Sequence, residues 1–180
     1  MHRSKVAPTG AERRLGPDEL IVSKTDAKGI LTYANDVFCR VSAISEAEML
    51  GQPHNIIRHP DMPRGVFRLL WETLAQRQEL FAYIVNLASD GAHYWVLAHV
   101  TPSLDGAGRL VGYHSNRRLP DPAAVREIKP IYDRLLAEER KHARATDAAQ
   151  AGLAILQETL AERGTDYDRF VWSLTSRRAA

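Results

Sequence analysis

At 180 residues, the chain has room for one domain of ordinary size and an appended segment. Hydrophobic residues make up 44% and charged residues 26%, as in soluble globular proteins, and no run approaches the ~20 apolar residues that span a bilayer. The net charge of +2, with both signs interspersed, gives no indication of nucleic-acid binding, and a single cysteine, Cys39, excludes an internal disulfide. We therefore expect a cytoplasmic protein.

Residues 1–18 are predicted to form an N-terminal tail outside the folded domain. The tail contains four permanent cations: Arg3, Lys5, Arg13 and Arg14. No apolar run accompanies these charges, which excludes the hydrophobic region of a secretory signal peptide. We expect the tail to be disordered or to contact a second subunit.

The first predicted element after the tail is a β-hairpin. Apolar and β-branched residues fill 20–25 and 30–34, on either side of a loop, 26–29, that ends in glycine. Short helices are expected next, because Asn35 is a good N-cap residue and Ser45 begins a Ser-x-x-Glu capping box. The domain therefore begins with two strands followed by short helices.

A longer helix is predicted to begin near Asp61. Asp61 lies where an N-cap belongs, Pro63 falls in the first turn, and apolar residues then repeat with helical spacing. Three strand-like runs follow at 80–88, 92–102 and 109–117, separated by loops that contain glycine. This order predicts an α+β fold, in which short helices cover one face of a five-stranded antiparallel sheet.

Residues 120–180 are predicted to be a helical extension of a domain at 19–119. Asp121 and Pro122 open a first helix, which Pro130 is expected to break or kink because proline lacks a backbone donor. Apolar spacing predicts further helical segments at 131–145, 147–163 and 166–174. We expect these helices to pack on their own domain or on a second subunit.

The segment 51–63 places histidine, asparagine, arginine and aspartate side chains between short apolar runs. Its sequence is Gly-Gln-Pro-His-Asn-Ile-Ile-Arg-His-Pro-Asp-Met-Pro. It closely resembles a segment that lies beside the bound FAD in the PAS domain of bacterial aerotaxis receptors, and the resemblance extends from about Leu20 to Arg118. It implies a PAS fold, an FAD cofactor and a non-enzymatic redox or oxygen sensor of the aerotaxis or energy-taxis type.

The same resemblance implies a set of cofactor-binding residues: Arg58, His59, Asp61, Asn86, Trp71, Phe67, Asn35, His54 and Asn55. Arg58 is expected to neutralise a phosphate or the negative charge that collects on the flavin ring during reduction. Each position also has a structural alternative, such as a helix cap at Asn35 or Asp61, or an ion pair between Arg58 and Asp61.

Asn86 is also indicated by the strand pattern itself. Alternation places it on one face of its strand together with Leu80, Ala82 and Ile84, so that a polar amide lies among apolar neighbours. A buried amide needs hydrogen-bond partners, and the pyrimidine edge of a flavin would supply them. The alternative is a strand face exposed to solvent at one end.

The chain departs from the receptors' pattern at one residue and in one short segment. Leu80 replaces a tryptophan that the receptors commonly have, and residues 87–89 replace a strongly basic stretch.

Haem b is an alternative cofactor, for which five histidines are candidate ligands: His54, His59, His93, His99 and His114. A ligand-free dimerisation module and a flavoenzyme using His59 and Asp61 are further alternatives. A blue-light sensor of the flavin-cysteine type is not expected, because 53–55 contains no cysteine.

The receptors that carry the resemblance also contain a membrane anchor and a signalling coiled coil. Neither pattern is found in these 180 residues. We therefore expect the protein to act on a separate signalling protein, such as a chemoreceptor or a kinase, unless the chain is a fragment of a longer receptor. We also expect it to be a homodimer.

Overall fold

The structure is a computed structural model that describes residues 6–176, with side chains through residue 175. Its strands are β1 (Leu20–Asp26), β2 (Leu31–Ala34), β3 (Leu80–Leu87), β4 (His93–Leu104) and β5 (Leu110–Arg118). Its α-helices are α1 (Asp36–Ser42), α2 (Glu46–Met49), α3 (Arg64–Ala75), α4 (Pro122–Glu139), α5 (Ala145–Glu162) and α6 (Tyr167–Ser176), and a 3-10 helix spans His54–Ile57. The predicted α+β class and the order of the elements are confirmed.

In the described part of the chain, five strands form one antiparallel sheet in the order β2-β1-β5-β4-β3. Arg117 on β5 lies opposite Ile21 on β1 and opposite Ala98 on β4. Directly paired residues point to the same side of a sheet, so these three side chains share one face. We call it the inner face, and all three residues are buried there.

Local hydrogen bonds explain the predicted hairpin and the first short helix. In the β1–β2 turn, the Asp26 carboxylate accepts from the backbone N–H of Lys28 (2.8 Å) and of Ile30 (2.9 Å). Gly29 takes the positive φ of +79° that closes this turn. The Asn35 side chain caps α1 by accepting from the backbone N–H of Phe38 at 3.1 Å, as predicted.

The chain forms two compact units. The first runs through His59 and resumes at Ile84–Leu119, and the second contains Pro60–Tyr83 and the segment from Pro120 onward. The second unit therefore contains α3 together with α4, α5 and α6.

Part of the N-terminal tail is ordered, in contrast to our expectation. The backbone N–H of Thr9 donates to the Gly91 carbonyl (2.9 Å), and that of Arg13 donates to the His93 carbonyl (2.7 Å). In return, the His93 N–H donates to the Ala11 carbonyl (2.9 Å). Residues 9–13 thus add to the start of β4, while the first five residues of the predicted tail lie outside the described range.

The predicted N-cap of α3 is wrong. Asp61 is exposed, and the helix begins at Arg64 with Pro63 as its cap residue and without a capping side chain from its own segment. Instead, the Glu139 carboxylate on α4 accepts from the backbone N–H of Arg64 (2.9 Å) and of Gly65 (2.8 Å). Asp61 therefore does not cap the helix, because Glu139 takes that role.

Helix α4 continues through Pro130, so of the two predicted outcomes, a break or a kink, the break is wrong. Proline removes one hydrogen bond, but Ile128, Ile131 and Leu135 form a buried stripe on both sides of it. Packing of an apolar face provides most of a helix's stability in a folded protein, and here it outweighs the missing bond. None of the helices within residues 6–176 is long and apolar enough to cross a membrane.

Candidate functional site

The segment from Gly51 to Arg58 connects the two edges of the sheet. At the β2 edge, the backbone N–H of Gly51 donates to the Leu31 carbonyl and that of His54 donates to the Gly29 carbonyl, both at 2.9 Å. At the β3 edge, Arg58 forms an antiparallel bridge with Asn86. Because β2 and β3 are the outermost strands of the sheet, the segment extends across its whole width.

His54 makes contact with the inner face of the sheet. Its ring stacks on Phe38 of α1, with centroids 5.9 Å apart and planes 21° apart. Its Nε2 atom accepts from Arg117 Nη2 and lies 3.3 Å from Ser23 Oγ. Arg117 Nη2 also donates to Ser23 Oγ at 3.0 Å, and the guanidinium lies 5.1 Å from the Phe38 ring centroid. Segment 51–58 therefore passes over the inner face.

The contact with Arg117 determines the protonation state of His54. A guanidinium has only donors, so the Nε2 atom that faces it must be unprotonated, and the ring proton lies on Nδ1. Burial, together with the charge of Arg117, lowers the pKa of His54 well below its ordinary value. Burial also lowers the pKa of Arg117 to about 10, which leaves it charged at neutral pH.

Asn86 also belongs to the inner face. The Ala88 N–H donates to the Ala92 carbonyl at 2.8 Å and closes the β3–β4 turn, and counting back from that bond places Asn86 opposite Tyr94. Tyr94 is fully buried, and its hydroxyl bonds to Ser42 Oγ on α1 at 2.7 Å. Asn86 itself is only 4% exposed, in agreement with the predicted buried amide.

Among residues 6–176, three buried polar groups on the inner face lack a hydrogen-bond partner: Asn86 Nδ2, Ser115 Oγ and Arg117 Nη1. Ser115 precedes Arg117 by two residues on β5 and lies opposite Ser23, so strand alternation gives it the same face. Buried polar groups in folded proteins are bonded in the great majority of cases. Their concentration on one face favours a site where a ligand supplies acceptors.

Other predicted residues of the first unit have varied surroundings. His59 is buried, and its ring lies edge-on to that of His93 with centroids 5.9 Å apart. Asn55 is exposed. The Asn35 side chain forms hydrogen bonds with the backbone of β1 in addition to capping α1. Its Oδ1 accepts from the Val22 N–H (3.0 Å), and its Nδ2 donates to the Leu20 carbonyl (2.8 Å).

Asp61, Phe67 and Trp71 belong to the second unit. Asp61 Oδ1 lies 3.9 Å from Arg140 Nη2, between two exposed side chains. Trp71 is 46% exposed, and Phe67 precedes it by one turn on α3. Their predicted contacts with a cofactor stay a prediction.

The sequence interpretation missed Arg117, Ser115, Ser23 and Phe38. The signal for the first two was present, because alternation along 109–117 gives Ser115 and Arg117 the same strand face. Nothing in the local pattern indicates that this face is the buried one, since Arg118 follows directly and is exposed. The pairing of Arg117 with His54 joins residues 63 positions apart, which local spacing does not predict.

Comparisons with known proteins agree with this architecture. The PAS fold family matches residues 21–114. The aerotaxis receptor of Escherichia coli strain K12 is 37% identical over 123 residues, which are 68% of this chain and 24% of the receptor. The nitrogen fixation regulatory protein of Klebsiella pneumoniae is 37% identical over 97 residues, or 54% of this chain and 20% of that protein. The chain thus spans a quarter or less of the length of these relatives.

The dark structure of the blue-light photoreceptor Aureochrome1 LOV has a similar fold. The TM-score is 0.53 at 19% sequence identity, and the match covers 65% of this chain and 84% of the photoreceptor domain. The similarity concerns the sheet and its helices and carries no information on the residues of a site.

Proposed function

Since the chain belongs to the PAS family, we propose that it is a sensor domain that binds FAD and reports redox or oxygen conditions to another protein. The observation that carries the proposal is the group of unpartnered donors on the inner face, at Asn86, Ser115 and Arg117. The resemblance of segment 51–63 to the segment beside FAD in aerotaxis receptors supports the same ligand.

The donors suit the chemistry of a flavin. A flavin has a flat apolar ring with carbonyl and ring-nitrogen acceptors at one edge, and FAD adds negatively charged phosphates. An amide, a hydroxyl and a guanidinium match these acceptors, and Phe38 provides an aromatic surface beside Arg117. In this proposal Arg58, His59 and His54 contribute further contacts from the segment that crosses the sheet.

The bound flavin would supply reversible oxidation and reduction. The residues that contact it would convert a change in its oxidation state into a structural change of the protein. Segment 51–58 is bonded to the β1–β2 turn at Gly29 and to β3 at Asn86, so a change in ligand contacts acts on both edges of the sheet. We propose that the receiver is a separate signalling protein in the cytoplasm, such as a chemoreceptor or a kinase, and that the sensor acts as a homodimer without catalysis.

The haem alternative is less well supported. An axial histidine needs a free ring nitrogen, and the Nε2 atom of His54 already accepts from Arg117. The His59 and His93 rings lie edge-on to each other, and His114 Nε2 lies 3.0 Å from Asn116 Oδ1. No arrangement among these described residues favours haem over flavin.

The visible absorption spectrum of the purified protein tests the proposal. We expect flavin bands that bleach with dithionite, and FAD as the released mass. Asn86→Leu should lower the bound fraction, whereas Asn116→Leu, on the opposite face of the sheet, should not. A Soret band would show that the cofactor is haem and not flavin. A protein that stays colourless after FAD is added would instead be an interaction module without a cofactor.

A further inference from the structure

Arg117 is a buried cation without an anionic partner in the described part of the chain. It is 3% exposed, and its bonding partners are Ser23 Oγ and the Nε2 atom of His54, both uncharged. The Phe38 ring adds a cation–π contact at 5.1 Å. Its second terminal nitrogen, Nη1, has no partner.

Such a group is costly in the interior of a protein. Removing a charge from water has a large desolvation cost, and buried charges are normally paired with an opposite charge. Phe38, Ser23 and His54 offset part of that cost, but each is neutral. Arg117 is therefore poorly explained as a stabiliser of the fold by itself.

The strand geometry places Ser115 beside this unpaired donor. Ser115 and Arg117 alternate on β5, and their neighbours across the inner face include the small or apolar residues Val100 and Ala98 on β4. The Ser115 hydroxyl is buried and has no partner either. Two donors that lack an acceptor, the Nη1 atom of Arg117 and the Ser115 hydroxyl, therefore occur on one face of the same strand.

We infer that Arg117 and Ser115 form an oxyanion-binding site for the ligand of this domain. Arg117 donates through Nη1, and Ser115 donates through its hydroxyl, to an oxygen that carries negative charge. Asn86 lies two strands away and opposite Tyr94, four residues along β4 from the Ala98 that faces Arg117, so it forms a separate contact point. In a flavin nucleotide this oxygen belongs either to the ring edge or to a phosphate. The identification of the ligand as a flavin rests on the proposed function.

The first test uses the full chain without ligand. Arg117→Met keeps the apolar stem and removes the charge, while Ser23 and His54 keep their mutual contact at 3.3 Å. If Arg117 exists for the ligand, the variant should unfold at the same temperature as the wild type or higher. A lower unfolding temperature, with no matching loss in the control Arg118→Met on the exposed face, would make Arg117 structural and overturn the inference.

The second test measures binding of riboflavin, FMN and FAD by quenching of flavin fluorescence. A charged hydrogen bond in a buried site corresponds to about 10- to 100-fold in affinity, so Arg117→Met should weaken binding by that factor and Ser115→Ala by less. Equal weakening for all three flavins indicates the ring edge, and weakening for FMN and FAD only indicates a phosphate. Unchanged affinity for every flavin would overturn the inference.

The two tests also separate this inference from the proposed function. If wild-type protein takes up none of the three flavins, the FAD proposal fails. The stability of Arg117→Met without ligand then decides the inference: an unfolding temperature no lower than that of the wild type supports a site for another oxyanion, and a lower one overturns it.

Discussion

His54 is held as a neutral acceptor by a residue that has only donors. Its Nε2 atom faces Arg117 and Ser23, and its ring stacks on Phe38, so no carboxylate among these neighbours favours the imidazolium. Protonation of His54 would place a second positive charge beside a buried guanidinium. The ring is therefore suited to accept a hydrogen bond at neutral pH.

This arrangement predicts acid-sensitive stability. Burial and Arg117 lower the pKa of His54 in the folded protein, so below the unfolded value of about 6.5 the unfolded chain takes up a proton that the folded chain does not. Stability should fall as the pH decreases from about 6.5, by up to ~1.4 kcal/mol per pH unit from this residue. Urea unfolding of wild type and His54→Gln at pH 5, 6, 7 and 8 should show a flatter profile for the variant.

His114→Gln serves as the control for that series, because His114 is on β5 but adjacent to Ser115 and thus on the other face. The His114→Gln variant should keep the part of the pH dependence of the unfolding free energy that comes from His54. A His54→Gln profile as steep as that of the wild type would show that this histidine does not titrate in the way its contacts indicate.

Individual site residues were predictable to different degrees. Asn86 could be identified because it is a polar amide on a strand face that is otherwise apolar, which is unusual for a strand in a protein core. Its burial is confirmed. Arg117 could not, because an arginine near a strand end resembles a residue at the solvent edge. Its face is buried in the sheet that β5 forms with β1 and β4, and β1 is a distant part of the chain.

At the scale of elements, the start of α3 depends on a residue of another helix. Glu139 is 6% exposed and accepts from two backbone N–H groups that the helix itself leaves unbonded. A carboxylate at this position also interacts favourably with the positive end of the helix dipole. Glu139 therefore couples α4 to the start of α3.

Glu139→Ala should destabilise the protein by about 2–3 kcal/mol, because it leaves two helix donors without their acceptor in a buried position. Glu139→Gln, which keeps one acceptor oxygen, should lose less. Glu138→Ala is the matched control, since its partners Lys141 and His142 lie at the surface. Urea unfolding measures all three, and equal losses at positions 138 and 139 would contradict the capping role.

Close packing of α3 on α5 gives another prediction. A Cβ atom at Gly65 would lie 2.5 Å from the Gly152 carbonyl carbon, which is backbone and cannot move aside alone. Gly65→Ala should therefore force the helices apart and cost about 1–3 kcal/mol or more. Gly106→Ala, whose Cβ would meet nothing within 4 Å, should be close to neutral by the same thermal or urea measurement.

The two helix predictions that failed have a common cause. Asp61 and Pro130 were interpreted by local rules for caps and breaks, and both were overridden by tertiary contacts. The acceptor that replaces Asp61 is 75 residues further along the chain from Arg64. Local patterns predicted the strands and the cap at Asn35 well, because their signals lie within a few residues.

For the molecule as a whole, the grouping of α3 with the C-terminal helices bears on where the sensor domain ends. The sequence predicts a domain at 19–119 and an extension at 120–180. In the structure, the second unit contains Pro60–Tyr83 together with the segment from Pro120 onward. Contacts within this unit join its two parts. The Tyr132 hydroxyl donates to the Tyr83 carbonyl at 2.6 Å, and the centroids of the Phe81 and Trp172 rings lie 4.8 Å apart.

A fragment that ends at Leu119 should therefore lose stability in α3 even though the predicted domain is intact. It lacks Glu139, which caps α3, and Gly152, which packs against Gly65, so α3 loses both the acceptor at its start and the helix that packs against it. Hydrogen exchange should show faster exchange across Arg64–Ala75 in the fragment than in the full chain, and addition of a separate 120–180 polypeptide should restore protection. Equal protection of α3 in the fragment and in the full chain would instead show that residues 19–119 form a self-sufficient domain, with the C-terminal helices as a removable extension.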